Sequence, residues 1–540
     1  MESVLILGAG LMQKPAILSA KSNGYKTFVI DADKNAICVP LADEFCQIDL
    51  KAKDEILEYA KQLKQTQNLK AVFTAGTDFS ASVSYVCENL NFNAHSYQAA
   101  LNASIKNQMR TCFDNAKVPS PKFISVNQQD LQDNSFVQKC SEIAYPFVVK
   151  PVDNMGARGC RLVRNEKELF PAIKIAVESS RTSVAIVEEY MEGREFSIDA
   201  LVYNGTFTIT GFAERHIYFP PYFIEMGHTM PVQLSKKDRE QLISVFALGA
   251  KSLGLTEGAA KADIKLTKNG PMIGEIAARL SGGYMSGWTY PYSSDLNLTE
   301  QALLIALNKE PQKLIQNRIP IDYNPSELCK NMQKPYELFE VPSVRTSAER
   351  AWISIPGVIQ NIQGYEIAKE ISDINDVLPR NLDVGSSIDF PRNNVQKCGN
   401  VISVNADYQK AVESAQKAIS SIILTLKPNQ PSTDDFLQGK TCVEEEGFPP
   451  SAYFDLAEDQ EDLLQGEISA NQKIQDCIPE FLKDKLQQSD WNSRSLIQTI
   501  QLFDKLRPNH PQLQAKNFWK ALLKGGIQGA LYINDSTKVL

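Results

Sequence analysis

Short apolar runs alternate with amphipathic stretches through the first hundred residues. The run at 3–7 (SVLIL) ends in Gly-Ala-Gly, and further runs begin at 26 (KTFVIDAD) and at 69 (LKAVFTAGTD), with a polar helical pattern at 51–66 between those two. Strands that alternate with helices are typical of βαβ units on a parallel sheet. The pattern therefore predicts a Rossmann-like module that ends near residue 100.

The rest of the chain changes character several times. Strand-like runs dominate 122–233, and two more (AKADIKLT and PMIGEIA) form a predicted hairpin across LTKNGP. Short strands with Gly and Pro turns return over 350–427, and KPNQPSTDD (427–435) has the composition of a linker. The predicted helices of this part lie at 166–179, 236–253, 299–308 and 408–421.

These patterns predict an α/β and α+β multi-domain protein. We expect a Rossmann-like domain at 1–100, a domain of two α+β subdomains at 101–340, and a small β-rich lobe at 341–427. Residues 428–540 are expected to hold the linker and a mainly helical region. A chain of 540 residues is long enough for several such domains.

Composition narrows the classes of partner. The formal net charge is -8 and the sequence has no basic block, which argues against a nucleic-acid partner and against an anionic membrane surface. No apolar run is long enough to span a bilayer. The ten cysteines are scattered without a CxxC pair, which is typical of reduced thiols, so we expect a cytoplasmic protein.

The glycine turn at 7–13 (LGAGLMQ) is half of a dinucleotide-binding fingerprint. Asp31 and Asp33 follow about twenty residues later, where an acid can bind a ribose. Gln13 stands at the third glycine position, so the close approach of helix and strand is not supported. An NAD(P)-dependent oxidoreductase remains the less favoured enzyme alternative.

A lysine and two glycines follow a buried-looking strand at 146–163 (PFVVKPVDNMGARGCRLV). Lys150 can neutralise a phosphate, and Gly156 and Gly159 let backbone N–H groups approach phosphate oxygens. An ordinary hairpin with a surface lysine is the alternative.

The stretch 184–202 (VAIVEEYMEGREFSIDALV) has the features of a nucleoside site. An extended backbone beside Tyr190 and Met191 suits an adenine, and Glu195 or a neighbouring acid can hold a ribose. A solvated turn between two strands remains open as the alternative.

The predicted hairpin at 260–283 brings two acids together. Asp263 and Glu275 are nearly symmetric about the turn at Lys268-Asn269-Gly270, so their carboxylates converge. Opposed like charges destabilise a sheet unless a hard cation lies between them, and Mg²⁺ is commonly held by one or two carboxylates plus phosphates. The pattern favours a Mg²⁺ site over a pair of surface acids.

His216 and His228 flank the aromatic stretch YFPPYFIEMG, which itself contains Glu225. This cluster either lines a polar substrate pocket or forms a loop without chemistry.

Taken in order, these pieces resemble the ATP-grasp superfamily, and most closely its carboxylate–amine ligases of the L-amino-acid (dipeptide) ligase type. The resemblance covers about residues 1–427. It is carried by GTDF (76–79), SIKNQMR (104–110), the VVKP strand with its glycine loop, VEEYMEG, and the hairpin that ends in GEIAARLSGG. The resemblance implies that 101–340 is an ATP-grasp domain and that the cofactors are ATP and Mg²⁺, with Mn²⁺ as an alternative ion.

The resemblance also implies a role for each matched position. Lys106 and Lys150 would contact the nucleotide, and Asp263 and Glu275 would bind the metal. Arg279 would bind the substrate carboxylate and then its acyl phosphate, because its planar fork pairs with both groups. The other implied contacts are the phosphates at Gly156, Ala157 and Gly159, the adenine at Glu188, Glu189, Tyr190 and Met191, the ribose at Glu195, and the substrates at Glu225, His228, Ser281, Gly282 and Gly283.

One position departs from the family. The family often reads E-x-N-x-R here, with the Asn as a metal ligand, whereas this chain has Ala277. The departure leaves open whether water replaces the ligand or catalysis is lost.

The expected reaction joins a small carboxylate to an amine in an ATP-dependent, ADP-forming ligation, with small-molecule substrates. A degenerate scaffold that binds nucleotide without catalysis is the alternative outside enzymes. Residues 428–540 carry no interpretable motif; a regulatory role, a surface for a second copy or another partner, and the start of a further module all remain open.

Overall fold

The computed structural model describes residues 1–380, 382–440 and 447–537. Cys442 lies outside the described residues, and the other nine cysteines are free thiols. The order of helices and strands confirms the predicted α/β and α+β multi-domain architecture.

The first module is a four-stranded parallel sheet with helices on both faces. Its elements are β1 (Ser3–Leu7), α1 (Lys14–Ser22), β2 (Lys26–Asp31), β3 (Glu44–Gln47), α2 (Lys53–Thr66), β4 (Leu69–Phe73) and α3 (Ser80–Leu90). The strand order is β3-β2-β1-β4. Strand β1 is buried along its whole length, which explains why it is apolar at every position except Ser3.

Two helices lead into a second, antiparallel sheet. The elements are α4 (Tyr97–Ser104), α5 (Lys106–Ala116), β5 (Phe123–Asn127), α6 (Gln128–Gln132), α7 (Ser135–Cys140), β6 (Phe147–Pro151), β7 (Arg161–Val163), α8 (Glu166–Ser179) and β8 (Val184–Glu189). The strand order is β5-β8-β6-β7. Helix α8 begins after Asn165, whose side chain accepts hydrogen bonds from the first turn, and its apolar face covers this sheet.

A larger sheet follows. It is formed first by β9 (Arg194–Tyr203), β10 (Thr206–Tyr218), β11 (Ile224–Met230), β12 (Gly258–Thr267), β13 (Gly270–Ala277), β14 (Ile319–Pro320) and β15 (Glu337–Glu340). Its helices are α9 (Lys236–Leu253), α10 (Tyr290–Ser294), α11 (Leu298–Ala306) and α12 (Gln312–Asn317). Helix α9 packs against β12 and β13 in the main core.

The C-terminal lobe extends the same sheet. Its elements are β16 (Thr346–Trp352), β17 (Gly357–Gln363), α13 (Tyr365–Lys369), β18 (Ile374–Pro379), β19 (Ser387–Ile388), β20 (Gly399–Asn405), α14 (Tyr408–Ser421) and β21 (Ile423–Leu426). Across the described residues the main path of the sheet runs β13-β12-β9-β10-β11-β16-β20-β18. The antiparallel pairing of β11 with β16 thus joins the lobe to the domain before it.

The last part of the chain is mainly helical. It contains α15 (Pro431–Leu437), α16 (Glu458–Asp462), β22 (Glu467–Ile468), α17 (Leu496–Leu506), β23 (Leu513–Gln514) and α18 (Ala515–Thr537). The prediction that 427–435 is a linker is wrong in part. Pro431 starts a helix there, and Phe436 and Leu437 are buried against α18. Within the described ranges, no helix combines the length and the apolar character needed to cross a bilayer.

Candidate functional site

A cavity of about 390 Å³ lies where the first module, the β5–β8 sheet, the large sheet and the segment 380–397 meet. Most of the residues that the sequence singles out line it. They are Lys106, Lys150, Gly156, Ala157, Glu188, Glu189, Tyr190, Met191, Glu195, Glu225, Asp263, Glu275, Arg279, Gly282 and Gly283.

Of the residues to which the resemblance gives a role, three do not line this cavity. Gly159 has a φ of +68° and packs against α8, where an added Cβ would lie 2.9 Å from the Ser179 Cβ. Ser281 is buried, and both its N–H and its hydroxyl donate to Asp199 Oδ2 at 2.9 Å. His228 is also buried and lies behind Glu225.

The two acids of the hairpin face each other as expected. Strands β12 and β13 pair with Asp263 opposite Glu275, and the chain reverses between Thr267 and Gly270. The Glu275 side chain remains 34% exposed in the cavity wall. Burial acts to raise the pKa of Glu275, but Lys106, Lys261 and Lys150 outweigh it and bring the pKa to about 2.

Lys106 begins helix α5 and reaches the same wall. Its ammonium lies 3.5 Å from Glu275 Oε1 and donates to the Asn154 carbonyl at 3.0 Å. Burial lowers the pKa of this lysine, yet the carboxylates of Glu275 and its neighbours raise it overall. The side chain is therefore a charged group that joins the helix to the glycine loop.

Lys150 forms an ion pair with the buried Glu188 on the adjacent strand. Lys150 Nζ lies 2.6 Å from Glu188 Oε2, and Arg110 Nε donates to Glu188 Oε1 at 2.8 Å. Because both oxygens of Glu188 are engaged, its carboxylate is not free for an adenine, and Glu189, Tyr190 and Met191 remain for that contact.

Tyr190 and Met191 form one side of the cavity with Glu195. Lys265 donates to the Met191 carbonyl at 3.1 Å and lies 5.1 Å from the centre of the Tyr190 ring. The same ammonium is 3.3 Å from Glu195 Oε2. An aromatic face and a carboxylate therefore lie side by side, as a nucleoside site requires.

Arg215 lies beside Glu195 and contacts three carboxylates of the cavity. Its guanidinium contacts Glu195 at 2.6 Å, Glu225 at 2.8 Å and Asp263 at 3.1 Å. Burial acts to lower the pKa of Arg215, but the three carboxylates hold it well above its usual range. Burial raises the pKa of Glu225, and Arg215 and the neighbouring cations bring it well below its usual range.

His228 lies between Glu225 and Glu349 and helps to hold Glu225 in place. Its Nδ1 lies 3.6 Å from Glu225 and 3.1 Å from Glu349, and its Nε2 lies 2.8 Å from the Thr289 hydroxyl. Burial lowers the pKa of His228, but the two carboxylates raise it overall, which favours the charged imidazolium. His216 instead bonds Thr229, and burial lowers its pKa to about 4.

Arg279 follows β13 and pairs with Asp78 of the first module. Its Nη1 also donates to the Leu280 carbonyl at 2.9 Å. Asp78 belongs to the GTDF stretch, so the ion pair ties that stretch to the cavity wall beside Gly282 and Gly283.

Sequence reasoning missed several charged residues of the cavity. Arg215 lies on β10 and Lys261 and Lys265 on β12, while Arg380 and Lys397 come from the C-terminal lobe. An alternating pattern on β12 puts Lys261, Asp263 and Lys265 on one face, and that signal was present in AKADIKLT. Nothing local could have found Arg380 or Lys397, because they reach the cavity only through the tertiary fold.

Side chains of the first module fill the space at its glycine turn (7–13), where a dinucleotide would bind. Asp31 Oδ2 accepts a hydrogen bond from the Ala9 N–H at 2.7 Å. Gln13 is fully buried, bonds the Ala75 N–H at 2.9 Å, and would be 3.1 Å from a Cβ placed on Gly8. The acid and the turn that a dinucleotide needs are thus engaged in internal contacts, which disfavours the NAD(P) alternative.

The hairpin acids fit a hard divalent cation. Both carboxylates line the cavity, and the buried Asp263 Oδ1 makes no hydrogen bond of normal geometry, although Arg215 Nη1 lies 3.1 Å away. Among the described residues, no group of three or more Asp, Glu, His or Cys side chains is arranged to hold a metal. A metal here would therefore complete its shell with phosphate oxygens and water.

Comparison with known proteins agrees with this geometry. Residues 143–287 match the ATP-grasp domain model, and residues 351–427 match L-amino acid ligase C-terminal domain 2. Alanine--anticapsin ligase of Bacillus subtilis is 26% identical over 256 residues, which cover 44% of this chain and 53% of that protein. Carnosine synthase 1 of Homo sapiens is 23% identical over 333 residues, covering 57% of this chain and 40% of that protein.

A solved structure shares the fold. The L-amino acid ligase from Bacillus licheniformis superposes with a TM-score of 0.64 at 18% identity, over 79% of this chain and 99% of that one. The two curated relatives named above are aligned over only 40% to 53% of their own length, so the chain spans about half of them. The ATP-grasp fold and its C-terminal lobe are therefore present in this chain.

Proposed function

Because the chain carries an ATP-grasp domain followed by an L-amino acid ligase C-terminal domain, we propose that it is an ATP-dependent, ADP-forming carboxylate–amine ligase. Its substrates are a small carboxylate and a small amine, and its product is an amide or peptide. The observation that carries the proposal is the convergence of Asp263, Glu275, Lys106, Lys150 and Arg279 on one cavity. We further propose domain boundaries near residues 100, 340 and 427.

The first step is phosphoryl transfer. A carboxylate oxygen of the substrate attacks the γ-phosphorus of ATP, the bond to the β-phosphate oxygen breaks, and ADP leaves. Positioning and charge stabilisation dominate such transfers, so Lys106 and Lys150 hold the phosphates while Arg279 aligns the carboxylate. When bound at Asp263 and Glu275, Mg²⁺ would supply Lewis-acid stabilisation of the charge on the phosphoryl oxygens.

The second step is acyl transfer. The amine nitrogen attacks the carbonyl carbon of the acyl phosphate, phosphate leaves and the nitrogen loses a proton. Arg279 and the backbone at Gly282 and Gly283 suit the binding of the acyl phosphate, because a guanidinium fork and close N–H groups both stabilise it. Glu225 lines the same cavity and is assigned to substrate binding, and Arg215 and His228 hold its carboxylate in place.

The test is a screen for ADP and phosphate release. The chain is incubated with Mg-ATP and pairs of amino acids and small carboxylates, and products are identified by mass spectrometry. We expect at least one pair to stimulate ADP release with formation of an amide. ATP binding without ADP release for any pair would instead support the degenerate scaffold.

Arg279→Ala is the sharpest variant for this reaction. Loss of a charged donor to the acyl phosphate should lower kcat by about 100-fold or more. Arg345→Ala serves as the matched control, because Arg345 pairs with Asp295 at the surface as Arg279 pairs with Asp78 in the cavity. A fall within a few-fold of wild type for Arg279→Ala would show that the assigned role is wrong.

A further inference from the structure

Lys261 is a buried cation in the cavity wall that the proposed mechanism does not use. It lies on β12, only 8% exposed, and its ammonium contacts the Asp263 carboxylate two residues further along the same face. In the register of the large sheet, Lys261 stands opposite Ala277 on β13 and opposite Asp199 on β9.

The two hairpin acids, Asp263 and Glu275, differ in the cations that lie beside them. Asp263 is shared by Lys261 and by Arg215, so two fixed cations already neutralise it. Glu275 faces Lys106 at the longer distance of 3.5 Å and keeps a third of its side chain exposed. Of the two carboxylates, Glu275 is therefore the less neutralised by fixed cations, so a cation between the hairpin acids is held mainly through Glu275.

On β13, the position opposite Lys261 offers no further ligand. Mg²⁺ prefers six oxygen ligands in octahedral geometry, and each additional ion needs its own set of oxygens. The methyl group of Ala277 supplies none, and an ammonium beside Asp263 repels a divalent ion that would approach that carboxylate.

We propose that the Lys261 ammonium is a permanent cation of the phosphate site, and that it restricts the hairpin acids to a single divalent ion held mainly through Glu275. The ammonium supplies the positive charge that a second ion would otherwise bring to the phosphates. This inference rests on the proposed function, since it concerns the metal stoichiometry of the ATP complex.

The test counts bound Mn²⁺. The whole chain is saturated with a non-hydrolysable ATP analogue and titrated with Mn²⁺, and electron paramagnetic resonance measures free Mn²⁺ and any coupling between neighbouring ions. We expect a single Mn²⁺ per bound nucleotide and no Mn–Mn coupling. A wild-type complex with two coupled ions would overturn the inference.

Variants separate the charge of Lys261 from its bulk. The double variant Lys261→Met, Ala277→Asn removes the ammonium and adds an oxygen ligand opposite, so it should gain a second, coupled Mn²⁺. Lys261→Arg keeps the charge and should bind a single ion. A double variant that folds cooperatively but stays at one ion, or a Lys261→Arg chain that binds two, would contradict the inference.

The control is Lys268→Met, at an exposed lysine in the turn of the same hairpin that does not line the cavity. It should leave the Mn²⁺ count at one, and a gain of a second ion there would also overturn the specific role of Lys261. The experiment also distinguishes a failure of this inference from a failure of the proposed function. A chain that binds two ions with ATP and still forms ADP keeps the ligase function, whereas a chain that binds no nucleotide loses both.

Discussion

At the scale of single residues, Asp199 shows how a buried acid positions the Gly-Gly stretch beside the cavity. It lies on β9 without exposure, and its Oδ2 accepts both hydrogen bonds from Ser281, while its Oδ1 has no hydrogen-bond partner. Burial raises the pKa of Asp199 to about 6, although the two bonds from Ser281 act to lower it. The support of Ser281 therefore carries a penalty while Asp199 is ionised.

Asp199→Asn should make the free energy of unfolding depend less on pH. Between an unfolded pKa near 3.8 and the folded value of about 6, the folded wild type binds the extra proton, so its stability falls as pH rises through that window. From pH 5 to pH 7 the wild type should lose roughly 1 kcal/mol of unfolding free energy relative to the variant. Urea unfolding at both values of pH measures the difference.

Asp322→Asn is the control for this measurement, because Asp322 is a surface aspartate. It should follow the wild type at both values of pH. A difference between wild type and Asp199→Asn that stays constant from pH 5 to pH 7 would show that Asp199 does not titrate in this range.

The residues that sequence reasoning could find are those whose partners lie close along the chain. Asp263 and Glu275 were predictable because a short turn fixes the register of a hairpin, and an antiparallel register fixes which side chains face each other. Arg215 was missed because it meets Asp263 across β9, which lies between β10 and β12. A local sequence pattern does not indicate which residues come into contact across an intervening strand.

At the scale of elements, helix α5 is fixed to both sheets by one arginine. Arg110 is 1% exposed, bonds Glu188 of β8, and donates to the Gly274 carbonyl of β13 at 2.5 Å. The antiparallel β5–β8 sheet and the large sheet are therefore joined through a single guanidinium. Replacement of Arg110 should therefore remove contacts from both sheets.

Arg110→Met should be strongly destabilising. It leaves Glu188 buried with Lys150 as its remaining partner, and breaking a buried ion pair costs about 3–5 kcal/mol. The midpoint of urea unfolding measures the loss. Arg164→Met is the matched control, since Arg164 lies 3.9 Å from Glu168 on the surface and such pairs contribute about 1 kcal/mol or less. Equal effects of the two variants would refute a special role for Arg110.

The elements themselves follow from the sequence with differing success. Helices α8, α9 and α14 have the bounds that the sequence predicts. Helices α8 and α14 each pack one face on a sheet and expose the other, whereas α9 is buried on all sides from Leu242 to Ala250. The stretch at 427–435 was misread because Pro, Asn and Ser dominate it. Its helix forms because the next two apolar residues, Phe436 and Leu437, bury against a helix about ninety residues later in the chain.

At the scale of the whole molecule, the C-terminal region supports the rim of the cavity. Trp491 packs on Phe390 with ring centres 5.2 Å apart, and Phe448 packs on Phe390 at 5.4 Å. A few residues after Phe390, the Asn394 N–H donates to the Gly156 carbonyl at 3.1 Å. The aromatic cluster thus continues into the segment that contacts the glycine loop.

Backbone hydrogen bonds strengthen the same junction. The Asn492 side chain accepts from the Ile353 N–H and donates to the Ile353 carbonyl, both at 3.0 Å. The Gln528 side chain bonds the Ile355 N–H and the Ser354 hydroxyl. We therefore expect the last hundred residues to unfold together with the C-terminal lobe rather than as an independent module.

Trp491→Ala should weaken both stability and nucleotide binding. Removal of a packed aromatic side chain costs about 3 kcal/mol, and the loosened segment at 390–397 should hold the Gly156 loop less firmly. The affinity for an ATP analogue should then fall by roughly three- to tenfold. Leu463→Ala is the control, because Leu463 is an apolar residue of the same region that is 69% exposed, and it should change neither quantity. A Trp491→Ala chain that loses stability but binds the analogue as tightly as wild type would confine the C-terminal region to a structural role.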